Sequence, residues 1–187
     1  MRSEEGDRSR ESVSGATVIR ASRPGDVPAL AALYAHHVLN GLASFEIAPP
    51  DAGEIARRRE EVLARGLPYL VAEAGGVVAG YAYAAPYRSR PAYRYTLEDS
   101  VYVDPAAARR GIGRALLDAL IEACAALGYR QMIAVIGDSG NAASIGLHAA
   151  CGFARIGVLP SVGFKHGRWV DSVLMQRALG PGGAVAP

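Results

Sequence analysis

The sequence predicts one α/β domain in which helices cover both faces of a mixed sheet. Strand-like and helix-like segments follow each other in the order β-α-α-β-β-β-α-β-α-β-β, which differs from the regular βα alternation of a parallel sheet. Two of the strands, 69–74 and 77–85, are joined by Gly75-Gly76, a dipeptide typical of an antiparallel hairpin. With 187 residues, half of them hydrophobic, the chain is long enough to bury one substantial core.

The domain is expected to span residues 17–179, between two tails. Residues 1–16 are polar and charged, so we expect a disordered N-terminal tail. Residues 180–187 are rich in glycine and proline and are expected to form a C-terminal tail. The N-terminus lacks the apolar segment of a secretory signal, and no apolar run is long enough to cross a bilayer, so no membrane association is predicted.

Charge, cysteine content and histidine spacing argue against several classes of function. A net charge of +2 provides no strong field that would favour nucleic acid. The two cysteines, Cys124 and Cys151, imply no disulfide framework, so we expect a reduced, cytoplasmic protein. His36 and His37 are expected on a helix surface, and because no metal-ligand spacing involves them, no metal is predicted.

The first half of the chain predicts a strand at 17–21 followed by two amphipathic helices. Asp26 is placed to cap a helix that runs to about Leu39, because an aspartate side chain accepts hydrogen bonds from the free amides of a first helical turn. Asp51 is placed to cap the second helix in the same way. The arginines at 57–59 are expected to face solvent from that helix. The glycine-linked hairpin follows.

The second half of the chain alternates strands with two further helices. Glycine and polar turns separate the segments, and the helix that follows the central strand carries apolar residues at helical spacing. The predicted segments are, in order, a strand at 96–103, a helix ending near Leu127, a buried strand at 131–136, a short helix between the turn 137–141 and Cys151, and a closing strand at 169–176.

The central strand leads through a basic, glycine-spaced loop into the N-terminus of a helix. A helix N-terminus offers free amide N–H groups and a partial positive charge, which suit a phosphate. Gly111 and Gly113 let a ligand approach the backbone closely. Forked donors are added by three arginines, Arg109, Arg110 and Arg114. The loop therefore predicts a phosphate-binding site.

Two common phosphate motifs do not fit this loop. A P-loop requires Lys-Ser or Lys-Thr after its last glycine, whereas Gly113 is followed by Arg114-Ala115, so nucleotide hydrolysis is disfavoured. A dinucleotide fingerprint requires a small residue where the chain has Leu116. A glycine-rich turn with solvated arginines is the alternative that the motif alone leaves open.

The segment VYVDPAAARRGIGRALLDALIEAC resembles the acyl-CoA-binding motif of the GCN5-related N-acetyltransferase (GNAT) superfamily. The motif glycines correspond to Gly111 and Gly113, while Ala108 occupies the place of the usual Gln or Arg. The segments TLEDSVYV, VIGDSGNAASIGLHAACGF and GFKHGRWVDSVLMQR are similar to the branch that acetylates phosphinothricin, methionine sulfoximine and methionine sulfone. The resemblance implies a GNAT fold with a mixed, largely antiparallel central sheet, acetyl-CoA as co-substrate, a small amino-acid-like acceptor and a homodimer.

The resemblance also implies two catalytic residues. Glu98 corresponds to the general base, which acts through water on an α-amino group whose ordinary pKa is about 8. The residues alone would favour a surface strand glutamate paired with an arginine. His148 would protonate the leaving CoA thiolate or contact CoA, whereas its plainer interpretation is a helix histidine packed under a loop.

The binding residues follow from the same resemblance. Backbone N–H groups of Val101, Tyr102 and Val103 would bind the oxyanion and the pantetheine arm. Further contacts to acetyl-CoA are expected from Arg109, Arg110, Gly111, Ile112, Gly113, Arg114, Asn141 and Ser144. The acceptor pocket is expected to involve Phe45, Arg88, Arg90 and Tyr93.

Other functions remain open at the level of the sequence. One is a GNAT enzyme that acetylates a different amine, such as a polyamine, or a protein N-terminus; the arginine-rich loop 86–95 disfavours a polyamine because a polyamine is cationic. Another is a catalytically silent acyl-CoA-binding module. Retention of Glu98 and His148 argues against that second possibility.

Overall fold

The computed structural model describes residues 16–186. The predicted tail 1–16 therefore lies, except for Ala16, outside the described residues. Residues 180–186 form turns, in which the Gly182 amide donates to the Leu179 carbonyl at 2.9 Å. Within the part of the chain that is described, no helix has both the length and the apolar character needed to span a bilayer.

Seven strands form one open sheet in the order β1-β2-β3-β4-β5-β7-β6. Every neighbouring pair is antiparallel except β4 and β5, which are parallel. The element order and the mixed, largely antiparallel sheet are those predicted. The elements are β1 (Thr17–Ala21), α1 (Val27–Asn40), α2 (Ala52–Ala64), β2 (Tyr69–Ala74), β3 (Val77–Pro86), β4 (Thr96–Val103), α3 (Ile112–Ala126), β5 (Gln131–Gly137), α4 (Ala142–Ala150), β6 (Ala154–Lys165) and β7 (Arg168–Ala178).

The core lies on both faces of the sheet. The face covered by α3 and α4 is aliphatic, and Leu116, Leu117 and Leu120 of α3 are fully buried there. A Cβ on Gly80 of β3 would lie 2.9 Å from the Tyr102 carbonyl oxygen and 3.1 Å from Leu116 Cδ1, so glycine is what allows α3 to pack this closely. The apolar residues at helical spacing that predict α3 are thus the residues that contact the central strands.

The opposite face, covered by α1 and α2, is lined by packed tyrosines. Ring centroids lie 5.0 Å apart for Tyr69 and Tyr83, 5.0 Å for Tyr81 and Tyr102, and 5.1 Å for Tyr34 and Tyr102. Aromatic rings at these separations add to the free energy gained from burying their area. Because successive strand residues point to opposite faces, Tyr102 joins this cluster while Val101 and Val103 face α3 and α4.

Two predictions about the first helices are wrong for the same physical reason. Asp26 does not cap α1 with its side chain, because its carboxylate accepts hydrogen bonds from Arg20 at 2.8 Å and from the Arg23 amide at 2.7 Å. Arg59 is only 6% exposed, since it donates to the side chain and the carbonyl of Ser22 at 2.8 and 2.7 Å. In both cases a residue outside the helix supplies the partner, from only three to six positions away for Asp26 and from 37 positions away for Arg59. The predicted cap at Asp51 is present.

Candidate active site

The strands β4 and β5 separate part-way along the sheet and leave a slot between them. They pair only over Thr96–Asp99 and Gln131–Ala134, and diverge beyond those residues. A cavity of about 340 Å³ fills the gap, a size within the usual range for small-molecule sites. Its lining comes from α1, the α1–α2 loop, β3, β4, β5, α4 and β7, and includes Tyr34, Phe45, Glu46, Tyr83, Glu98 and His148.

Glu98 lies on β4 with its side chain partly buried at the cavity wall. Burial raises the pKa of this carboxyl above its ordinary value, and the adjacent negative charge of Asp99 raises it further. A carboxylate with a raised pKa is a better proton acceptor than an exposed one. Glu98 therefore has the position and the basicity that a general base requires.

The end of β4 offers free backbone groups to the slot. The Asp104 amide donates to the Ala79 carbonyl of β3 at 2.9 Å, so by strand alternation the backbone groups of Val103 and Val101 point away from β3. His37 Nε2 lies 3.0 Å from the Val103 carbonyl oxygen and must donate to it. The prediction that His37 lies on the helix surface is therefore wrong, and burial lowers the pKa of this histidine.

Asp99 and His148 form a buried pair beside the cavity. His148 Nε2 lies 2.9 Å from Asp99 Oδ2, and His148 Nδ1 lies 2.7 Å from the Ser144 carbonyl oxygen. A carbonyl only accepts, so Nδ1 carries a proton, and a second proton is needed between Nε2 and the carboxylate. Burial alone would lower the pKa of His148, but the hydrogen bond and charge of Asp99 raise it above its ordinary value.

One oxygen of this pair has no internal partner. Among the residues that the structure describes, nothing hydrogen-bonds to Asp99 Oδ1, although the atom is buried. Buried polar atoms normally have a partner, and Asp99 is also part of the cavity lining. The Asp99–His148 pair can therefore exchange a proton with a group or a water in the cavity.

The glycine loop has the geometry of an anion site. Gly111 precedes α3 with φ of +80°, a left-handed conformation that favours glycine, and a Cβ there would meet nothing within 4 Å. It provides no side-chain cap, so the amides of the first turn of α3 lack the partner that a capping side chain would give them. Gly113 has a different role, because a Cβ there would lie 3.2 Å from Leu147 of α4 and 3.4 Å from Val103.

Comparisons with known proteins agree with this geometry. The model of the Acetyltransferase (GNAT) family matches residues 30–153. The chain is 58% identical over 172 residues to a phosphinothricin N-acetyltransferase of Alcaligenes faecalis, covering 92% of this chain and 87% of that protein. It is 41% identical to an L-methionine sulfoximine/L-methionine sulfone acetyltransferase of Salmonella typhimurium, covering 86% and 94%.

A solved structure agrees as well. The chain matches a GNAT superfamily phosphinothricin acetyltransferase of Sinorhizobium meliloti, solved in complex with acetyl-CoA, with a TM-score of 0.88 and 46% identity over 91% of this chain and 92% of that one. The chain belongs to the GNAT acetyltransferase family. The predicted family, fold and enzyme class are thereby confirmed, and the acetyl-CoA co-substrate predicted from the sequence is the ligand of that relative.

The structure of this GNAT chain brings six of the seventeen predicted site residues to the slot. Phe45, Glu98, Val101, Tyr102, Ser144 and His148 all line the cavity. Asn141 caps α4, since its Oδ1 accepts from the Ser144 amide at 3.1 Å. Arg109 and Arg114 are exposed around the start of α3, and Arg114 pairs with Asp118 at 3.4 Å. Arg110 is exposed beside them.

The predicted acceptor arginines lie outside the lining of the cavity. Arg88 stacks over the rings of Tyr87 and Tyr93, at 5.1 and 5.9 Å, on the exposed loop between β3 and β4. Arg90 and Tyr93 are exposed on the same loop. The loop ends at Thr96, where β4 begins, two residues before Glu98. The Tyr87 amide donates to the Thr96 carbonyl and so joins the two ends of the loop. Its role in binding the acceptor stays a prediction.

Among the cavity-lining residues that sequence reasoning missed, four are ionisable: Tyr34, Glu46, Tyr83 and Asp99. The tyrosines read as ordinary apolar positions of α1 and β3, and Glu46 as loop surface. Asp99 carried a usable signal, because its place among Leu97, Val101 and Val103 on β4 points a carboxylate toward the α3–α4 face. A carboxylate at a buried strand position requires a partner, and His148 is that partner.

Proposed function

We propose that this chain transfers the acetyl group of acetyl-CoA directly to the α-amino group of a small amino-acid analogue: phosphinothricin, methionine sulfoximine or methionine sulfone. The observation that carries the proposal is that Glu98, with its raised pKa, lines the same slot as the free edge of β4. A base and an array of amide donors then face one cavity. The named acceptors are those of the relatives in the preceding section.

The residues fit acetyl-CoA as a co-substrate. The amides at 112–114 and the arginines of the loop suit its diphosphate. The backbone groups of Val101 and the N–H of Val103, whose carbonyl already accepts from His37, suit the amides of its pantetheine arm. When bound, acetyl-CoA supplies an activated acyl carbon with a thiolate leaving group. The chain orients that carbon toward Glu98 and excludes bulk water with the loop at 42–46.

Glu98 prepares the acceptor for attack. An α-amino group is largely protonated at neutral pH, and only the neutral amine is nucleophilic. Glu98 accepts this proton, directly or through one water. The amine nitrogen then bonds to the acetyl carbon, and an amide of β4 donates to the oxygen on which negative charge develops. The nitrogen of the tetrahedral intermediate then loses its second proton to a cavity water, and the C–S bond breaks as the carbonyl re-forms.

The CoA thiolate that leaves requires a proton, and His148 is the proposed source. Both of its ring nitrogens are engaged, so donation requires Nε2–H to exchange its bond with Asp99 for one to the thiolate or to a cavity water. Asp99 keeps the imidazole protonated until that step, because it raises the pKa of His148. The pair is then re-protonated from solvent.

The acidic lining of the cavity supports recognition of an ammonium group. Glu46, Glu98 and Asp99 line it, and within residues 16–186 no arginine or lysine does. A protonated amine is attracted to these carboxylates, whereas the carboxylate and phosphinate ends of the acceptor would meet Arg88 and Arg90 at the exposed loop. The same acidic lining is the observation that favours the alternative acceptor class, a polyamine or other cationic amine.

A thiol-release assay tests the proposal. Purified protein with acetyl-CoA should release CoA faster with phosphinothricin, methionine sulfoximine or methionine sulfone than with unmodified amino acids, spermidine or a peptide N-terminus. Mass spectrometry should find one acetyl group on the acceptor and none on the protein. Turnover of spermidine alone would establish the alternative. Binding of acetyl-CoA without turnover of any amine would identify a silent binding module.

We also propose a homodimer formed through the β6–β7 hairpin, in the cytoplasm. Large apolar side chains are exposed along this hairpin, and Phe164 packs edge-on against Trp169, which is 64% exposed. Exposed apolar patches of this kind are typical of protein interfaces. Trp169→Glu should halve the mass measured by light scattering, and an unchanged mass would contradict the dimer.

The proposed location in the cytoplasm agrees with the state of the cysteines. Both cysteines are free and buried, which agrees with a reducing compartment.

A further inference from the structure

Lys165 is the only lysine of the chain, which has twenty lysine and arginine residues in total. It lies at the end of β6 and is only 2% exposed. Lysine is rarely this buried, because its ammonium loses the hydration that it has in water. Burial accordingly lowers the pKa of Lys165, although the negative charge of Glu46 acts in the opposite direction. Such a position requires a specific reason.

The reason is a contact with the loop that covers the cavity. Lys165 Nζ donates to the carbonyl oxygen of Ser44 at 2.7 Å, across 121 positions of the sequence. Ser44 belongs to the segment 42–46 of the α1–α2 loop, which we name the cover segment. Its residues 43–46 line the cavity. Lys165 thus joins the hairpin to one wall of the site.

Two glycines show how closely the cover segment lies on the sheet. A Cβ on Gly137, at the end of β5, would overlap the carbonyl oxygen of Leu42 and lie 2.9 Å from that of Ala43. A Cβ on Gly163 of β6 would lie 2.9 Å from the ring of Phe45. The cover segment therefore packs directly against β5 and β6, with no space for an added side-chain atom at either glycine. Its position depends on contacts that hold it down.

Lys165 and Tyr34 hold the segment from opposite sides. The Tyr34 hydroxyl of α1 lies 3.0 Å from Ser44 Oγ and 3.1 Å from a carboxylate oxygen of Glu46. Arg58 of α2 donates to the same Glu46 oxygen at 2.6 Å. The tyrosine and arginine fix the side chains of the segment, and Lys165 fixes its backbone. The combined effect presents Phe45 and Glu46 to the cavity.

We propose that Lys165 is a positioning residue for the acceptor: its ammonium holds the Ser44 carbonyl and thereby keeps the Phe45–Glu46 wall closed over the cavity. This inference rests on the proposed function. The acetyl-CoA side of the site is built from the end of β4 and the start of α3, which Lys165 does not touch. Loss of the ammonium should therefore weaken the acceptor and spare acetyl-CoA.

Steady-state kinetics of Lys165→Met test this split, with the acceptor that wild type turns over best. Methionine keeps an apolar chain of similar length and removes only the charged donor. The KM of the acceptor should rise about ten- to a hundredfold, the effect of losing one charged hydrogen bond. The KM of acetyl-CoA should stay within about twofold, and an unchanged KM of the acceptor would overturn the proposal.

Arg168→Met is the matched control. Arg168 is a cation on the same hairpin, but it is exposed and donates to Asp138 at 3.0 Å rather than to the cover segment. It should leave both KM values unchanged. An equal rise in the acceptor KM in both variants would mean that hairpin charge, not the Ser44 contact, matters, and the proposal would fail.

Restoring the ammonium chemically separates positioning from general damage. Lys165→Cys treated with 2-bromoethylamine regains a lysine-like ammonium at residue 165. Residue 165 is as buried as the two native cysteines, so the alkylation is carried out in urea on a variant that also carries Cys124→Ala and Cys151→Ala, and the product is then refolded. Full modification should return the acceptor KM toward the wild-type value. Full modification without recovery would contradict the proposal.

Wild-type protein decides the matter if these variants do not fold. Reductive methylation followed by peptide mass spectrometry reports on one ε-amine, since Lys165 is the only lysine. The acceptor together with CoA should slow this methylation at least fivefold more than CoA alone, because a bound acceptor keeps the cover segment closed. Equal rates would overturn the proposal. Absence of wild-type turnover with every amine tested would instead contradict the proposed function itself.

Discussion

The two sides of the cavity are built by different means. The proposed acetyl-CoA side consists of backbone groups of one continuous stretch, 101–114, in which a strand end, a turn and a helix start follow one another. The proposed acceptor side consists of side chains from distant parts of the chain, including Tyr34 of α1, Glu46 of the cover segment, Tyr83 of β3 and Glu98 of β4. A backbone site tolerates many side chains. A site made of side chains changes its ligand with single substitutions.

Glu98→Gln should have the largest effect, and it tests the acceptor side alone. Glutamine keeps the size of the side chain and cannot accept the amine proton. We expect kcat to fall about 10²- to 10⁴-fold, as for loss of a general base. Calorimetry should find unchanged affinity for acetyl-CoA. Wild-type turnover by this variant would remove Glu98 from the mechanism.

Gly111→Val should break the backbone side. Valine at φ of +80° is strained, and its side chain would occupy the open space above the helix start. We expect acetyl-CoA affinity to fall at least about a hundredfold, or about 3 kcal/mol. Gly128→Val is the control, since Gly128 has φ of +86° and open space just beyond the opposite end of α3. Gly128→Val should lower the free energy of unfolding by about as much as Gly111→Val does, without changing acetyl-CoA affinity.

Arg90→Ala should have a smaller effect, confined to the acceptor. A forked guanidinium bound to a carboxylate or phosphinate contributes about 1.5–3 kcal/mol. The acceptor KM should therefore rise about ten- to a hundredfold, with an unchanged KM for acetyl-CoA. Arg94→Ala is a suitable control on the same loop, because Arg94 stacks on Tyr95. Equal changes in both KM values would contradict an acceptor role for Arg90.

Asp99→Asn should produce the smallest change in rate and a distinctive change in pH dependence. The negative charge of Asp99 raises the pKa values of both Glu98 and His148. Activity requires Glu98 deprotonated and His148 protonated, so removing this charge should move both limbs of the pH–kcat profile to lower pH. An unchanged pH–kcat profile would show that the Asp99–His148 pair takes no part in the reaction.

The same variant has a consequence for stability. Because the folded-state pKa of His148 is raised, the stabilisation from its pair with Asp99 is present at low pH and is lost as pH rises through that pKa. Urea unfolding should find Asp99→Asn less stable by about 1–3 kcal/mol on the acid side. The difference in the free energy of unfolding between wild type and Asp99→Asn should become smaller toward alkaline pH.

The division between the two sides also explains what the sequence could predict. The strand–loop–helix stretch is local, so residue order alone specifies it, and the element order of the whole sheet follows from periodicity. Arg59, His37 and Lys165 are different, because each owes its position to a carbonyl contributed by a segment far away in the sequence. No local pattern records such a partner. Apart from Phe45, the Phe45–Glu46 wall and its contacts escaped sequence reasoning for the same reason.

The separation of β4 from β5 leaves the sheet joined at its centre by only four residue pairs, from Thr96 with Gln131 to Asp99 with Ala134. Strands β1 to β4 on one side and β5 to β7 on the other pair with each other along most of their length, apart from local bulges in the β2–β3 and β6–β7 ladders. In the proposed complex the thioester arm pairs with the free edge of β4 and adds hydrogen bonds at this junction. Bound acetyl-CoA should therefore also stabilise the junction between the two halves of the sheet, and the protein should be most rigid when acetyl-CoA is bound.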